Sequence, residues 1–278
     1  MRLVKQLVPA LAVAFAGGQA VGAVAGSALP TLVLGVATAV LALVTYGWTV
    51  RWSERRAPVE VAPTGALAAV GRGVLIGAGM CTAVMGTIAL LGGYRVEGVG
   101  SVAGPVGLLG FMAAAAVTEE VLYRGILFRI VEEWTGTWTA LVLTAVLFGL
   151  SHLLNPHADL WGAIAIAIEA GGMLAAAYAA TRSLWLPIGL HFAWNFTLAG
   201  VFGAEVSGNG APQGLLDGAT SGPVLLSGGE FGPEASLCTV VSGVVLTIVF
   251  SWLAHRRGRI VRPRRRTAGS GAAATFPR

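Results

Sequence analysis

Long apolar runs alternate with short polar breaks along this chain, and the runs have the length of a membrane crossing rather than of a soluble amphipathic helix. Stretches able to cross roughly 30 Å of hydrocarbon occur about eight times. They run near Leu7 to Ala25, Pro30 to Val50, Val74 to Leu91, Ala103 to Glu133, Trp138 to Leu154, Leu160 to Ala180, Leu184 to Phe202 and Leu237 to Ala254. The pattern predicts an all-α fold, a polytopic transmembrane helical bundle of about eight spans. The first run has a basic start (Arg2, Lys5) and small residues after it, so a cleaved signal peptide is an alternative reading of that segment alone. The fourth run is about 46 Å long at 1.5 Å per residue. It is expected to break near Gly107 or Gly110, or to project from the membrane, and Arg129, Glu132 and Glu133 near its end favour projection.

Composition agrees with a bilayer protein: 55% of residues are hydrophobic and only 11% charged, against about 25% charged in a soluble domain. The 40 glycines sit largely inside or beside the apolar runs, where small residues let helices approach closely. A net charge of +5 raises the question of nucleic acid. The basic residues instead flank the spans and crowd into the tail from Arg256 to Arg266, which excludes a nucleic-acid surface in favour of a membrane-flanking one. Cys81 and Cys238 both lie in apolar stretches, so neither a disulfide framework nor a thiolate metal site is expected.

Arginine and lysine in short loops orient a multi-pass protein. Arg2, Lys5, Arg51, Arg55, Arg56, Arg72, Arg129, Arg182 and the tail arginines fall on one side, with Arg95 alone on the other. This predicts a cell-membrane protein with both termini cytoplasmic. The resulting organisation is N-terminal spans over 1–102, a catalytic core over 103–204, an external Gly/Pro-rich loop over 205–235, partly disordered, a last span over 236–255 and a basic cytoplasmic tail over 256–278.

Ionisable side chains inside spans cost several kcal/mol and mark functional sites. In AAAAVTEEVLYRGILFRIV, Glu120 and Arg124 are four apart and share a helical face, so Arg124 can neutralise Glu120 while Glu119 points about 100° away. Phe148 with His152, and His191 with Asn195, are two further pairs at the same spacing. If the fourth and fifth spans turn near Thr135 and Gly136, Glu119 and His152 each lie about 16 residues from the turn and meet at one depth. A carboxylate and an imidazole so placed, with a second imidazole and an amide, can activate water and stabilise a tetrahedral oxyanion, which is peptide-bond hydrolysis. The set Glu119, His152 and His191 equally matches the ligand types of a catalytic zinc site, so zinc and a metal-independent mechanism both stay open. Glu169, mid-span, either lines the cavity or makes a structural hydrogen bond; His157 and Asp159 read as solvated loop residues.

These three motifs, Glu119-Glu120 with Arg124, Phe148 with His152 and His191 with Asn195, in this order, resemble those of the CAAX protease and bacteriocin-processing (Abi) family over about Ala103 to Phe202. The words YRG after the acids and SLWLPIGLH at the last motif are similar too. The resemblance implies an intramembrane endopeptidase, metalloprotease or glutamate-type, whose site is reached from the cytoplasm. It implies that Glu119 and His152 activate the water, that His191 and Asn195 hold the oxyanion and that Arg124 pairs with Glu120. Its substrate would be a peptide or lipidated protein in the membrane. Two readings compete: a transporter or proton pathway, since membrane carboxylates and histidines also build relays, and a non-catalytic immunity protein that keeps the motifs. The first lacks a visible internal repeat.

Overall fold

In the computed structural model, residues 1–210 and 214–263 are described, so the part of the basic tail beyond residue 263 lies outside the described residues. Among the described residues, seven helices are long and apolar enough to cross a membrane. They are α1 (Arg2–Gly22), α2 (Ala28–Glu54), α3 (Ala66–Leu90), α4 (Ala103–Thr135), α5 (Thr137–Leu154), α6 (Leu160–Thr181) and, last in the chain, Leu237–Arg256. Between α6 and that last helix comes α7, an α-helix over Trp185–Asn195 that runs on as a π-helix over Phe196–Val201. It occupies the seventh of the expected runs but is too short to count as a crossing on length. The last helix is α8. The protein is a polytopic all-α bundle, and a band of exposed apolar side chains such as Val36, Val40, Val44, Val142, Val146, Val245 and Ile248 faces outward as lipid-facing surface would.

Small residues set the helix spacing. A Cβ on Gly35 of α2 would meet the carbonyl oxygen of Gly110 at 2.2 Å, and a Cβ on Gly110 of α4 would meet Leu32 Cα at 2.4 Å. Gly73 and Gly77 of α3 stand in the same relation to the Leu186 and Leu190 carbonyls of α7, each at 2.3 Å. Gly110 is therefore a packing contact, and of the two alternatives for the long fourth run the helix does not take the break there or at Gly107. The helix runs through, and its irregularity comes later, as a π-helix over Val121–Phe128 directly after the two glutamates. The chain then reverses at Gly136, whose φ of 81° suits glycine, and enters α5 at the expected turn.

The two ends of the bundle differ. At one end Arg129 donates to Glu54 and Gln6, each at 2.8 Å, and Arg56 to Glu60 at 2.8 Å. Arg2 pairs there with Glu133 and Arg182 with Glu132, and Arg259 donates to the Ala180 carbonyl at 2.6 Å. The arginines grouped by sequence thus share one end. The other end carries the loops. Strand β1 (Tyr94–Val99) pairs antiparallel with β2 (Leu216–Thr220), tying the α3–α4 connection to the long loop before α8. The partial disorder expected of that loop is not what its described residues show. Phe231 and Glu234 are buried, Trp161 Nε1 donates to the Ala235 carbonyl at 2.8 Å and Tyr94 Oη to that of Phe202 at 2.7 Å. Apolar and aromatic anchors spaced along a glycine-rich segment dock it onto the bundle despite its loop-like composition.

Candidate active site

The site is built on α4, α5 and α7, and the i, i+4 spacing read from sequence operates in each. On α4, Arg124 Nη1 donates to Glu120 Oε1 at 2.8 Å, with both side chains almost wholly buried. The same guanidinium reaches the carbonyls of Ala170 and Gly171 at 3.2 and 3.3 Å and lies 4.6 Å from the centroid of the Phe148 ring. Arg124 is thereby held by a carboxylate, two backbone carbonyls and an aromatic face, which leaves it no freedom to reach substrate.

His191 is the contact that sequence spacing did not supply. Its Nδ1 lies 3.0 Å from Glu120 Oε1, and its Nε2 is 3.8 Å from Glu119 Oε2. A carboxylate can only accept, so Nδ1 carries the proton and Nε2 is the nitrogen turned to chemistry. On α5, His152 Nδ1 donates to the Phe148 carbonyl at 2.7 Å, which assigns the same tautomer and leaves its Nε2 free. Phe148 stands between the two imidazoles, its centroid 4.7 Å from that of His152 and 6.2 Å from that of His191.

Glu119, His152, His191 and Asn195 all line one cavity of about 560 Å³; Glu120 and Arg124 lie behind its wall. The six residues expected to act together therefore converge as four that face the cavity and two that support them. Glu119 and His152 line the same cavity, and Glu119 also meets His191, because α7 packs against α4 closely enough to bring that ring within reach of both glutamates. Glu119 Oε2 and Glu120 Oε2 have no hydrogen-bond partner.

The cavity's mouth lies at the loop end of the bundle. Ala25 and Gly26 of the α1–α2 turn, Ala103 and Gly104 at the start of α4, Asn155 after α5 and Asn209 of the long loop line it. Access from the cytoplasm and an arginine-rich cytoplasmic end cannot both hold, because the cavity opens at the opposite end from those arginines.

Glu169 neither lines this cavity nor makes a structural hydrogen bond. It sits in a π-helical stretch of α6 (Ala167–Gly172), wholly buried, with neither carboxylate oxygen partnered. A small void that it lines also touches Glu234, His191 and Asn195. Sequence reading passed over Glu234, which nothing in the chain distinguishes from the other acids of its loop. It accepts from Trp194 Nε1 at 3.0 Å and from Ser207 Oγ at 2.8 Å, joining the loop to the helix that carries His191. Burial pushes its carboxyl above the usual carboxylate range, while the hydrogen bonds from Ser207 and Trp194 pull it back. Asp159 does more than face solvent: it caps α6 by accepting from the Gly162 backbone N–H. Three π-helical stretches adjoin or contain polar residues of this region, after Glu120, around Glu169 and after Asn195, as π-bulges at functional sites do.

Among the described residues no group of three or more His, Cys, Asp and Glu side chains is placed to hold a metal ion. Glu120 and the Phe148 carbonyl hold His191 and His152 through Nδ1, which leaves each Nε2 free as in a ligating histidine, so zinc on Glu119, His152 and His191 and a metal-independent mechanism both stay open.

Residues 101–197 match the family model described as type II CAAX prenyl endopeptidase Rce1-like. Over this segment, about a third of the chain, the sequence is similar to the CAAX protease family. The matched segment spans all six residues from Glu119 to Asn195. No curated protein and no solved structure matches the chain.

Proposed function

We propose that this protein is an intramembrane endopeptidase in which Glu119 is the general base. One observation carries the reading. Glu119 reaches the cavity with an unpartnered oxygen 3.8 Å from His191 Nε2, while the other nitrogen of that ring is held by the Glu120–Arg124 pair. The gap is too long for a good hydrogen bond and leaves room for a water about 2.8 Å from each group.

Glu119, assisted by the free Nε2 of His152, takes a proton from that water as its oxygen adds to the scissile carbonyl carbon. The carbonyl oxygen becomes an oxyanion. His191, its Nδ1–H held by the carboxylate of Glu120, enters the step as an imidazolium and donates from Nε2, and the Asn195 amide donates beside it. Collapse breaks the C–N bond, and the proton held by Glu119 passes to the leaving amine. Glu120 and Arg124 take no part in bond making; they hold His191 in one tautomer and orientation, much as a second carboxylate does in a hydrolase triad. A positioned base contributes roughly 10²–10⁴-fold and an oxyanion donor roughly 10²–10³-fold, so the two together suffice for a slow membrane protease. The substrate is a peptide or lipidated protein held in the membrane, in keeping with the prenyl endopeptidases that give the family model its description.

The decisive comparison is between wild type and Glu119→Gln on a library of membrane-anchored peptides, with metal analysis of both samples. Cleavage by the wild type that the variant loses supports the reading. Undiminished cleavage by Glu119→Gln overturns it, and zinc bound stoichiometrically by wild type alone replaces the free carboxylate with a metal mechanism. A proton pathway is the second reading, and Glu169 favours it, since a buried carboxylate with no partner is what a relay requires.

A further inference from the structure

The cavity and the basic residues occupy opposite ends of the bundle, and this bears on where substrate comes from. Resting on the protease reading above, we infer that the site is served from the non-cytoplasmic face, and that its substrate is the segment of a membrane-anchored polypeptide emerging on that face.

The orientation rests on many residues. At one end Arg129 shares Glu133 with Arg2 and Glu54 and Glu60 with Arg56, and beside them Arg182 holds Glu132 and the Arg259 carbonyl, so five arginines form a belt. At the other end the loops carry a single basic residue among those described, Arg95, and Glu97 neutralises it at 2.7 Å. So large an asymmetry places the belt in the cytoplasm. The mouth is then external, between the α1–α2 turn, the start of α4 and the long loop.

Among the described residues, the way in from the belt is filled by packed side chains. Beyond the glutamates in that direction Ile126, Phe128, Ile130, Tyr46 and Tyr178 are buried and fill the space between helices, and Arg124 closes the layer above them. A cytoplasmic tail would have to displace this packing to reach Glu119. From the loop end the path is open and free of basic side chains. Its walls there are Ala25, Gly26, Gly104 and Gly107, with the amides of Asn155 and Asn209. Small side chains let an extended backbone lie close, amides can bond its peptide groups, and the absence of charge suits a neutral, apolar sequence. The cavity volume of about 560 Å³ accommodates a few residues and not a folded domain.

Two measurements on the full-length protein test this. The first uses two reporters with one neutral cleavage segment beside a single membrane helix, presented outside the cell in one and inside it in the other. In cells the external reporter should be cut at least tenfold faster, while in detergent both should be cut at similar rates by wild type and neither by Glu119→Gln. Preferential cutting of the cytoplasmic reporter in cells, with detergent activity intact, overturns the inference and spares the protease reading. The second needs no substrate. In a Cys81→Ala, Cys238→Ala background, Ser151→Cys places a thiol on the cavity wall. A membrane-impermeant maleimide should label it in right-side-out vesicles and not in inverted ones. The reverse pattern overturns external access even if no reporter is ever cleaved.

Discussion

One helix, α4, carries two clusters of buried charge, and they are finished differently. Around Arg129 and Glu132, near its end, every acid meets cations or hydroxyls: Glu54 takes bonds from Arg129, Arg56 and Gln6, and Glu132 from Arg182 and Thr137. Around Glu119 and Glu120, two turns or so earlier, oxygens are left open. Among the described residues, the buried side-chain oxygens without a partner are Glu119 Oε2, Glu120 Oε2 and both oxygens of Glu169. Saturating a buried charge stabilises the fold, whereas leaving one unsatisfied costs free energy and persists where chemistry uses it. The comparison separates scaffold from site on a single element without reference to any relative.

The largest effect should come from Arg124→Ala, which removes the counter-charge of a wholly buried carboxylate and empties the space against Phe148. A loss of about 3–5 kcal/mol is expected, seen as a lowered melting temperature in detergent together with lost cleavage. A variant that stays as stable as wild type would show that Glu120 is held by His191 alone.

Glu119→Gln should cut turnover by roughly 100-fold or more, about 2.7 kcal/mol on the barrier. Its melting temperature should stay within about 2 °C of wild type. Equal instability in both variants would erase the division of labour between the paired acids.

At the saturated cluster, Arg129→Ala should lower stability by about 2 kcal/mol, while cleavage per folded molecule changes by less than about two-fold. Rates corrected for folded fraction decide this, and a large drop in the corrected rate would join the two clusters into one functional unit.

The smallest effect is expected at Glu169→Gln, which removes an acid that has no partner to lose. Melting temperature should hold or rise, by at most about 1 kcal/mol in stability, and cleavage should be unchanged. Abolished cleavage would draw Glu169 into the protease site, and a lost proton flux in vesicles with cleavage absent throughout would favour the relay reading.

Local periodicity made much of this legible in advance. Long apolar runs can only be spanning helices, because a backbone in hydrocarbon has to satisfy its own hydrogen bonds. The i, i+4 rule paired Glu120 with Arg124 without any tertiary information, and the turn at Gly136 put Glu119 and His152 beside the same cavity. The loop arginines sorted themselves into the set that the fold gathers at one end.

Contacts between elements were beyond that reach. That His191 sits between two glutamates depends on the rotation of α7 against α4, set by interlocking backbones that apolar periodicity does not describe. Glu234 arrives at the His191 helix through Trp194, 40 residues away in the chain, on a loop whose composition resembles any other. Gly110 was one of two places where the long run could have broken and is instead a contact, because a missing Cβ serves either purpose until a neighbour is in place. The sequence alone determined which residues could carry charge into the membrane and at what depth. Only the tertiary structure decided which of those charges are matched, which is left free, and at which end the cavity opens, since matching and access depend on the gaps between helices rather than on any helix by itself.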